Sequence, residues 1–284
     1  MLGSAVIEEL KKRDISFTGA DIQAGEGDPE IFRLDITDEG AVEDFFRAHS
    51  FDACIHTAAW TDVDAAEIPK NRGGAYKLNA AASGYLARAA AKTNAGFIYV
   101  STDYVFSGDG DAPYHPDGVP DPLNRYGYTK RAGELEVSEA LERHIIVRTS
   151  WLFGPGGNNF VDKMLKSFSE GRTLEVVNDQ VGRPTYSKDL ARLLVDMLDT
   201  KKYGIYHATN EGEYVSWYEF ALEIARQSGA KSGVEAVSSD RYKFGETAKR
   251  PSNSRLDTAK LEECGFERLR DWKDALREYL GRDI

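Results

Sequence analysis

Three short apolar segments constrain this chain most: Ala53 to His56, Phe97 to Val100 and His144 to Arg148. Each has strand length, and each is parted from the next by a stretch with helical periodicity. Val6, Ile7 and Leu10 fall on one helical face ahead of them, and Ile15 to Ala20 reads as a strand ending at Asp21. Val42, Phe45 and Phe46 mark a second helix. Tyr76 to Ala91 is an Ala-rich helix, and Tyr126 to Leu141 another. Strands that alternate with helices join by right-handed crossovers, which gives a parallel sheet covered on both faces. The expected fold class is α/β, a doubly wound, Rossmann-like parallel sheet with a smaller discontinuous substrate lobe.

The second half is less regular. Asn159 to Glu170, Lys188 to Leu198 and Ser216 to Gln227 read as helices, and Leu174 to Val177 and Ile205 to His207 as strands. Asp109 to Pro122 is a loop rich in Gly, Pro and Asp, and Asp240 to Ser254 is a candidate substrate-side loop. The expected boundaries give a dinucleotide-binding domain over 1–150, to which the chain returns at about 172–198 and 260–284. A second, smaller lobe takes 151–171 and 199–259.

The 284 residues carry 36 Lys and Arg against 47 Asp and Glu, a net charge of −11. That balance argues against a general nucleic-acid binder, which needs a basic footprint. No apolar run approaches the roughly 18 residues of a membrane span. Cys54 and Cys264 are the two cysteines, far apart and without metal-ligand spacing. A disulfide framework and a zinc site are not expected, and a cytoplasmic location is. The scattered histidines and the Asp62, Asp64, Glu67 group give no reason to expect a metal; His56 reads as a packed histidine, the acids as a solvated loop or helix start.

A nucleotide-binding domain normally opens with an apolar strand, a Gly-rich turn and a helix. Here Met1-Leu2-Gly3 already stands at the head of the helix. Met1 is therefore expected to be an internal methionine of a longer chain, whose absent strand would leave a central sheet edge unpaired. Gly3 suits the last glycine of such a turn, where a side chain would hold helix and strand apart. Asp21 follows at close to the spacing of about 20 residues typical of a ribose-binding acid. Equally, Gly3 serves as a loose helix cap and Asp21 as a turn residue.

Tyr126 and Lys130 form Tyr-x-x-x-Lys on one helical face. A cation near a phenol favours its ionisation and eases proton donation. An amphipathic pair, Tyr inside and Lys solvated, has the same spacing. The strand ending in Ser101-Thr102-Asp103 adds a hydroxyl at the carboxyl end of a sheet strand, where ligands of such folds bind. Thr102, Tyr126 and Lys130 together match the Ser/Thr–Tyr–Lys set of short-chain dehydrogenases/reductases.

Longer segments narrow the resemblance: LDITD from Leu34, HTAAWTDVDAAE from His56, YVSTDYVFSG from Tyr99, NRYGYTK from Asn124, RTSWLFG from Arg148, DQVGRPTY from Asp179, SWYEFA from Ser216 and RPSNSRLDTAKL from Arg250. In this order they resemble the dTDP-4-dehydrorhamnose reductase family of extended short-chain dehydrogenases/reductases. The resemblance implies that Thr102 orients the sugar carbonyl, Tyr126 donates the proton, and Lys130 binds the nicotinamide ribose and favours Tyr ionisation. It places Asp35 and Ile36 near the adenine and Ala58, Ala59 and Asn79 along the cofactor groove. Asp103, Tyr104, Val105 and Trp151 would face the sugar nucleotide, and Asn159, Phe160 and Arg250 its nucleotide end. Trp151 also suits a core aromatic, and Arg250 a solvated loop charge. Gln180, Gly182 and Pro184 suit a tight turn, and Asn253, Ser254 and Asp257 a helix cap near Thr258.

The implied reaction is reduction of the C4 ketone of dTDP-4-dehydro-L-rhamnose by NADH or NADPH. Asp21, without Arg or Lys just after it, points to NADH use at least equal to NADPH. The implied partner is a dTDP-sugar, and a homodimer is compatible with it. The alternatives are another sugar-nucleotide epimerase or reductase of the superfamily, or a catalytically silent binding subunit.

Overall fold

The computed structural model describes residues 1–25, 30–241 and 248–281. Its centre is a four-stranded parallel sheet of β3 (Ala53–His56), β4 (Gly96–Thr102), β5 (His144–Thr149) and a fourth strand, Gly204–His207, here β6. The spatial order is β6-β5-β4-β3. β1 (Gly19–Asp21) and β2 (Ile31–Arg33) pair parallel to each other in a separate two-stranded sheet. Among the described residues, β3 has β4 as its only ladder partner.

Side chains alternate across the central sheet, as strand geometry requires. Ile98, Ile145 and Val147 face one way, and Phe97, Tyr99 and Ile146 the other. The first face is covered by α1 (Leu2–Lys12), through Leu2, Val6 and Leu10, and by the helix Ser187–Asp196. The second is covered by α2 (Glu39–Ala48), α3 (Ala82–Lys92) and α4 (Arg125–Ala140), through Val42, Phe46, Leu86 and Val137. Helices on both faces make this the expected doubly wound α/β arrangement.

A smaller cluster lies apart from the sheet. Phe153, Val161, Tyr186, Phe220, Ile224 and Trp272 bury together there. It joins α5 (Phe160–Ser169) and α7 (Trp217–Ser228), with α6 the Ser187–Asp196 helix between them in sequence, to α8 (Trp272–Leu280). Short ladders frame it: Leu174–Val177 with Val234–Val237 in parallel, and Val181–Gly182 with Val215–Ser216 antiparallel.

The lobe boundaries need correcting at three points. β6, placed by the 199–259 boundary in the substrate lobe, pairs with β5 from Gly204↔Ile145 to His207↔Arg148 and belongs to the central sheet. α8, expected back on the dinucleotide side, buries Trp272, Ala275 and Leu276 in the smaller cluster. Leu174–Val177, inside the expected 172–198 return, pairs in the smaller lobe, whereas α6 does pack on the sheet. The reason is the same each time: the buried face of a short element follows its tertiary partners, not its place in the chain. The first strand is also shorter than Ile15 to Ala20. Ile15 is exposed, and regular pairing starts only at Gly19. Residues 242–247 of the expected substrate-side loop, and 282–284 of the carboxyl-terminal return, lie outside the described residues.

Candidate active site

The site is built on the carboxyl end of β4. Thr102 ends the strand, and its hydroxyl accepts from the Tyr104 N–H at 3.2 Å, capping the single 3-10 turn Asp103–Val105. The same hydroxyl donates to Asp103 Oδ1 at 2.9 Å. Burial pushes the Asp103 carboxyl up to about 6, and its Oδ2 meets no hydrogen bond of normal geometry among the described residues. The Ser254 side chain approaches it and favours the ionised form.

α4 brings Tyr126 and Lys130 to this strand end. Asn124 caps the helix, accepting from the Gly127 N–H at 2.8 Å, while its Nδ2 donates to Lys249 O at 2.7 Å. The Asn cap is a sequence signal for a helix start, and the cap here also ties the helix head to the loop carrying Arg250. Gly127 and Gly133 permit the close approach: a Cβ on Gly127 would overlap Tyr104 O, and one on Gly133 would overlap Asn79 O and the Tyr99 hydroxyl. Tyr126 keeps part of its ring at the surface, and burial of the rest pushes its phenol up to about 12. Thr102 lies against it and eases its ionisation. The phenol is therefore protonated at neutral pH, as a proton donor must be. Lys130 is buried, donates from Nζ to Val100 O at 2.8 Å and sits over the Tyr99 ring at 4.1 Å. Burial lowers it to about 7. The Asp103 charge works against Thr102 on the Tyr126 phenol and opposes its ionisation.

Asn79 lies in a π-helical turn, Lys77–Ala81, just before α3. Such turns release a backbone carbonyl from the helical ladder. Asn79 O accepts from the Tyr99 hydroxyl at 3.0 Å and the Ser83 hydroxyl at 2.8 Å. The side chain grips the backbone beyond β3, accepting from Trp60 N at 2.7 Å and donating to Trp60 O at 3.1 Å. Ala58 is exposed and Ala59 half-buried in that segment. Gly3 faces it: a Cβ there would come within 3.1 Å of Thr57 Oγ1. Small residues thus line the sheet end, the property a cofactor groove requires. Asp21 is exposed at the end of β1 and accepts from Gln23 N at 2.8 Å, so it does build a turn. Asp35 likewise binds its own loop: the Thr37 hydroxyl at 2.7 Å and the Thr37 N–H at 2.9 Å hold its carboxyl below the ordinary value. Ile36 packs beside the α2–α3 cluster.

On the other side of the site, Trp151 stacks on Trp217 at 3.7 Å, and Phe160 reaches Trp217 at 4.6 Å. Trp151 has φ 49°, a backbone conformation unfavourable for a bulky residue. Trp217 was not singled out from the sequence; the aromatic run SWYEF at a capped helix head was the available signal. Arg250 pairs with Asp64 at 2.7 Å, and Tyr104 approaches it. Asp62, exposed, caps the short helix Val63–Glu67, the expected helix start, and Glu67 accepts from Arg125 N at 2.6 Å. Of the three residues expected to cap the helix near Thr258, only Asp257 reaches its start, accepting from Ala259 N at 2.8 Å from the position before Thr258, while Asn253 binds Ala112 O and Arg255 N.

Two residues, one expected to face the sugar and one expected at the nucleotide end, are placed elsewhere. Val105 is fully buried with Phe106 and Leu256, because the 3-10 turn rotates it into the core. Asn159 is buried as the cap of α5, with its amide donating to Gly154 O at 3.0 Å and Asp162 Oδ2 at 2.8 Å. His56 is a packed histidine, within 3.1 Å of the Ser83 hydroxyl and lowered to about 3 by burial and Lys130. No cluster of three metal-ligating side chains occurs among the described residues.

The family model described as the RmlD substrate binding domain matches residues 1–283. The chain belongs to this family. Two RmlD-like relatives illustrate the likeness. A spore coat polysaccharide biosynthesis protein of Bacillus subtilis (strain 168) is 40% identical over 247 residues, 87% of this chain and 85% of that one. A dTDP-4-dehydrorhamnose reductase of Aggregatibacter actinomycetemcomitans is 39% identical over 260 residues, 87% of each. The crystal structure of dTDP-4-dehydrorhamnose reductase from Bacillus anthracis str. Ames in complex with NADP is similar with a TM-score of 0.89 and 36% identity, covering 98% of this chain and 94% of that one. The RmlD-family fold is thus the Rossmann-like one described above, and Thr102, Tyr126 and Lys130 stand at the carboxyl end of its central sheet.

Proposed function

We infer that this protein is an NAD(P)H-dependent oxidoreductase that reduces the C4 ketone of dTDP-4-dehydro-L-rhamnose to dTDP-L-rhamnose. The observation that carries this reading is the convergence of Thr102, Tyr126 and Lys130 on one strand end, in a chain whose relatives include dTDP-4-dehydrorhamnose reductases.

The dinucleotide fits the groove lined by Gly3, Ala58, Ala59 and Asn79, where side chains are small and Ala58 is open to solvent. Bound there, the reduced nicotinamide supplies the hydride to the ketone carbon. Tyr126 gives its phenolic proton to the ketone oxygen, which turns carbonyl into alcohol. Thr102 donates a hydrogen bond to the same oxygen, and Lys130 holds the ribose beside Tyr126. Asp21 and Asp35 each keep an oxygen for the adenosine end. Asp103, Tyr104 and the Trp151–Trp217 stack bound the sugar, and Arg250 meets the diphosphate. The protein's contribution is orientation and proton delivery.

The free cysteines Cys54 and Cys264 suit a reducing cytoplasm, and we place the protein there. Tyr76, Tyr128 and Leu135 are exposed apolar side chains on the α3–α4 side, and a homodimer would cover them. The test is a panel of dTDP- and UDP-4-ketosugars assayed with both cofactors. Turnover confined to dTDP-4-dehydro-L-rhamnose supports the reading. Turnover only with another ketosugar moves the substrate assignment, and a protein inert on all of them is a silent binding subunit.

A further inference from the structure

α4 carries a third polar residue on the face of Tyr126 and Lys130. Residues four apart on a helix lie one above the other, so Tyr126, Lys130 and Glu134 form a single column. The lower two grip successive residues of β4. Lys130 Nζ donates to Val100 O at 2.8 Å, and the Ser101 hydroxyl donates to Glu134 Oε1 at 2.6 Å. Thr102 is the next residue along the strand.

Glu134 is 0% exposed and Arg148, opposite it on β5, 1%. Arg148 reaches both carboxylate oxygens, from Nε and from Nη2, each at 2.8 Å. Arg131 adds a bond at 2.9 Å. Arg148 also donates to Pro116 O at 3.1 Å and lies over the Phe106 ring at 5.0 Å. Burial opposes the Glu134 charge, but these donors hold its carboxyl below the ordinary value. A buried ion pair is a costly way to join helix and sheet, and apolar residues of similar volume often serve the fold as well or better. Its presence one turn from Lys130 calls for a reason other than stability.

We propose that Glu134 is a positioning residue for the reduction: it pins α4 to β4 one residue before Thr102 and supplies the buried negative charge that stabilises the Lys130 ammonium. This rests on the reductase reading above. The groups around Lys130 leave that task to Glu134. His56 on β3 is neutral, Tyr99 on β4 presents its ring face, and Tyr126 is a protonated phenol. Arg131 and Arg148 are cations, and both are spent on Glu134. Burial alone lowers Lys130, and the Glu134 charge is the one influence acting against that fall. With that charge present Lys130 lies at about 7 and keeps an ammonium population near neutral pH; without it the balance moves further toward the neutral amine.

The experiment uses the full chain. In Glu134→Gln/Arg148→Met, both charges leave together, so no guanidinium is stranded. Ser101→Ala keeps both charges and cuts only the tie to β4. The Lys130 titration is followed by NMR on isotope-labelled lysine, its signal assigned by its loss in Lys130→Met. Glu134 stands on the helix of Lys130, one turn away, and Arg148 across on β5, so we expect the double variant to shift that titration down by less than the roughly 1–3 units that one unopposed close charge is worth, and to move the alkaline limb of kcat with it. Ser101→Ala should lower kcat several-fold with the titration unmoved and the sugar KM unchanged. An unmoved Lys130 titration in the folded double variant overturns the proposal. So does a Ser101→Ala enzyme with wild-type kcat, which decides the matter by itself if the double variant does not fold. Absence of ketone reduction by the wild-type protein would count against the functional reading instead, and the titration would still judge Glu134.

Discussion

The Thr102 hydroxyl donates to the Asp103 carboxylate, its oxygen 2.9 Å from Asp103 Oδ1. Thr102 has one proton to donate, and the proposed chemistry needs it on the ketone oxygen. Asp103 is therefore the group that competes with the substrate for Thr102. It is 4% exposed, and burial raises its carboxyl from 3.8 to about 6.

That shift has a signed consequence for stability. An acid whose pKa is higher folded than unfolded contributes stability fully present below the unfolded value, and loses it as pH rises through the folded value. The window for Asp103 runs from 3.8 to about 6. Asp103→Asn keeps the shape and cannot ionise. It should melt above the wild type at pH 8, and the difference should vanish near pH 3. A Tm difference independent of pH would show that Asp103 ionises as freely folded as unfolded.

Tyr126→Phe removes the proposed proton donor and keeps the ring that packs edge-on against Tyr104 at 5.8 Å. General acid catalysis is worth roughly 10²–10⁴-fold, so kcat should fall by about that much with the Tm little changed. Tyr128, 50% exposed and over the Arg125 guanidinium, is the control. Tyr128→Phe should leave kcat alone. Near-wild-type turnover in Tyr126→Phe would remove Tyr126 from the mechanism.

Arg250 and Asp64 form a partly exposed pair, worth about 0–1 kcal/mol to stability. Arg250→Ala should then leave the Tm nearly unchanged while raising the KM for the dTDP-sugar by about 10–100-fold, the worth of a charge-assisted hydrogen bond. Asp64→Asn frees Arg250 and should not raise that KM. If both variants raise it equally, the pair acts by holding the loop, and Arg250 does not touch the diphosphate.

Cofactor choice turns on Asp21. Its carboxylate stands exposed at the end of β1, where a 2′-phosphate would meet like charge. NADH should serve at least as well as NADPH by kcat/KM, and Asp21→Ala should move the ratio toward NADPH. A strong NADPH preference in the wild type, unmoved by Asp21→Ala, would leave Asp21 only its turn to Gln23.

The central sheet was legible because its strands are apolar and short, so that Ala53–His56 is a strand in sequence and structure alike. The Tyr126–Lys130 pair was legible because its i, i+4 spacing survives any helix orientation. What escaped was set by contacts between distant segments. Glu134 looks like a surface acid until Arg148 arrives from β5. Val105 looks like a strand-end ligand contact until the 3-10 turn rotates it against Leu256. Asn159 looks like a polar site residue until α5 begins after it. The place of β6 beside β5, like that of α8 on the smaller lobe, depends on partners more than fifty residues away along the chain.

The most direct test follows the hydrogen itself. The protein is given dTDP-4-dehydro-L-rhamnose and a nicotinamide cofactor deuterated at its transferable position, and the product is read by NMR and mass spectrometry. The account predicts dTDP-L-rhamnose carrying one deuterium, at the sugar C4, with one cofactor oxidised per sugar reduced. Product without deuterium at C4, or an isomerised sugar with no net oxidation of the cofactor, would contradict it.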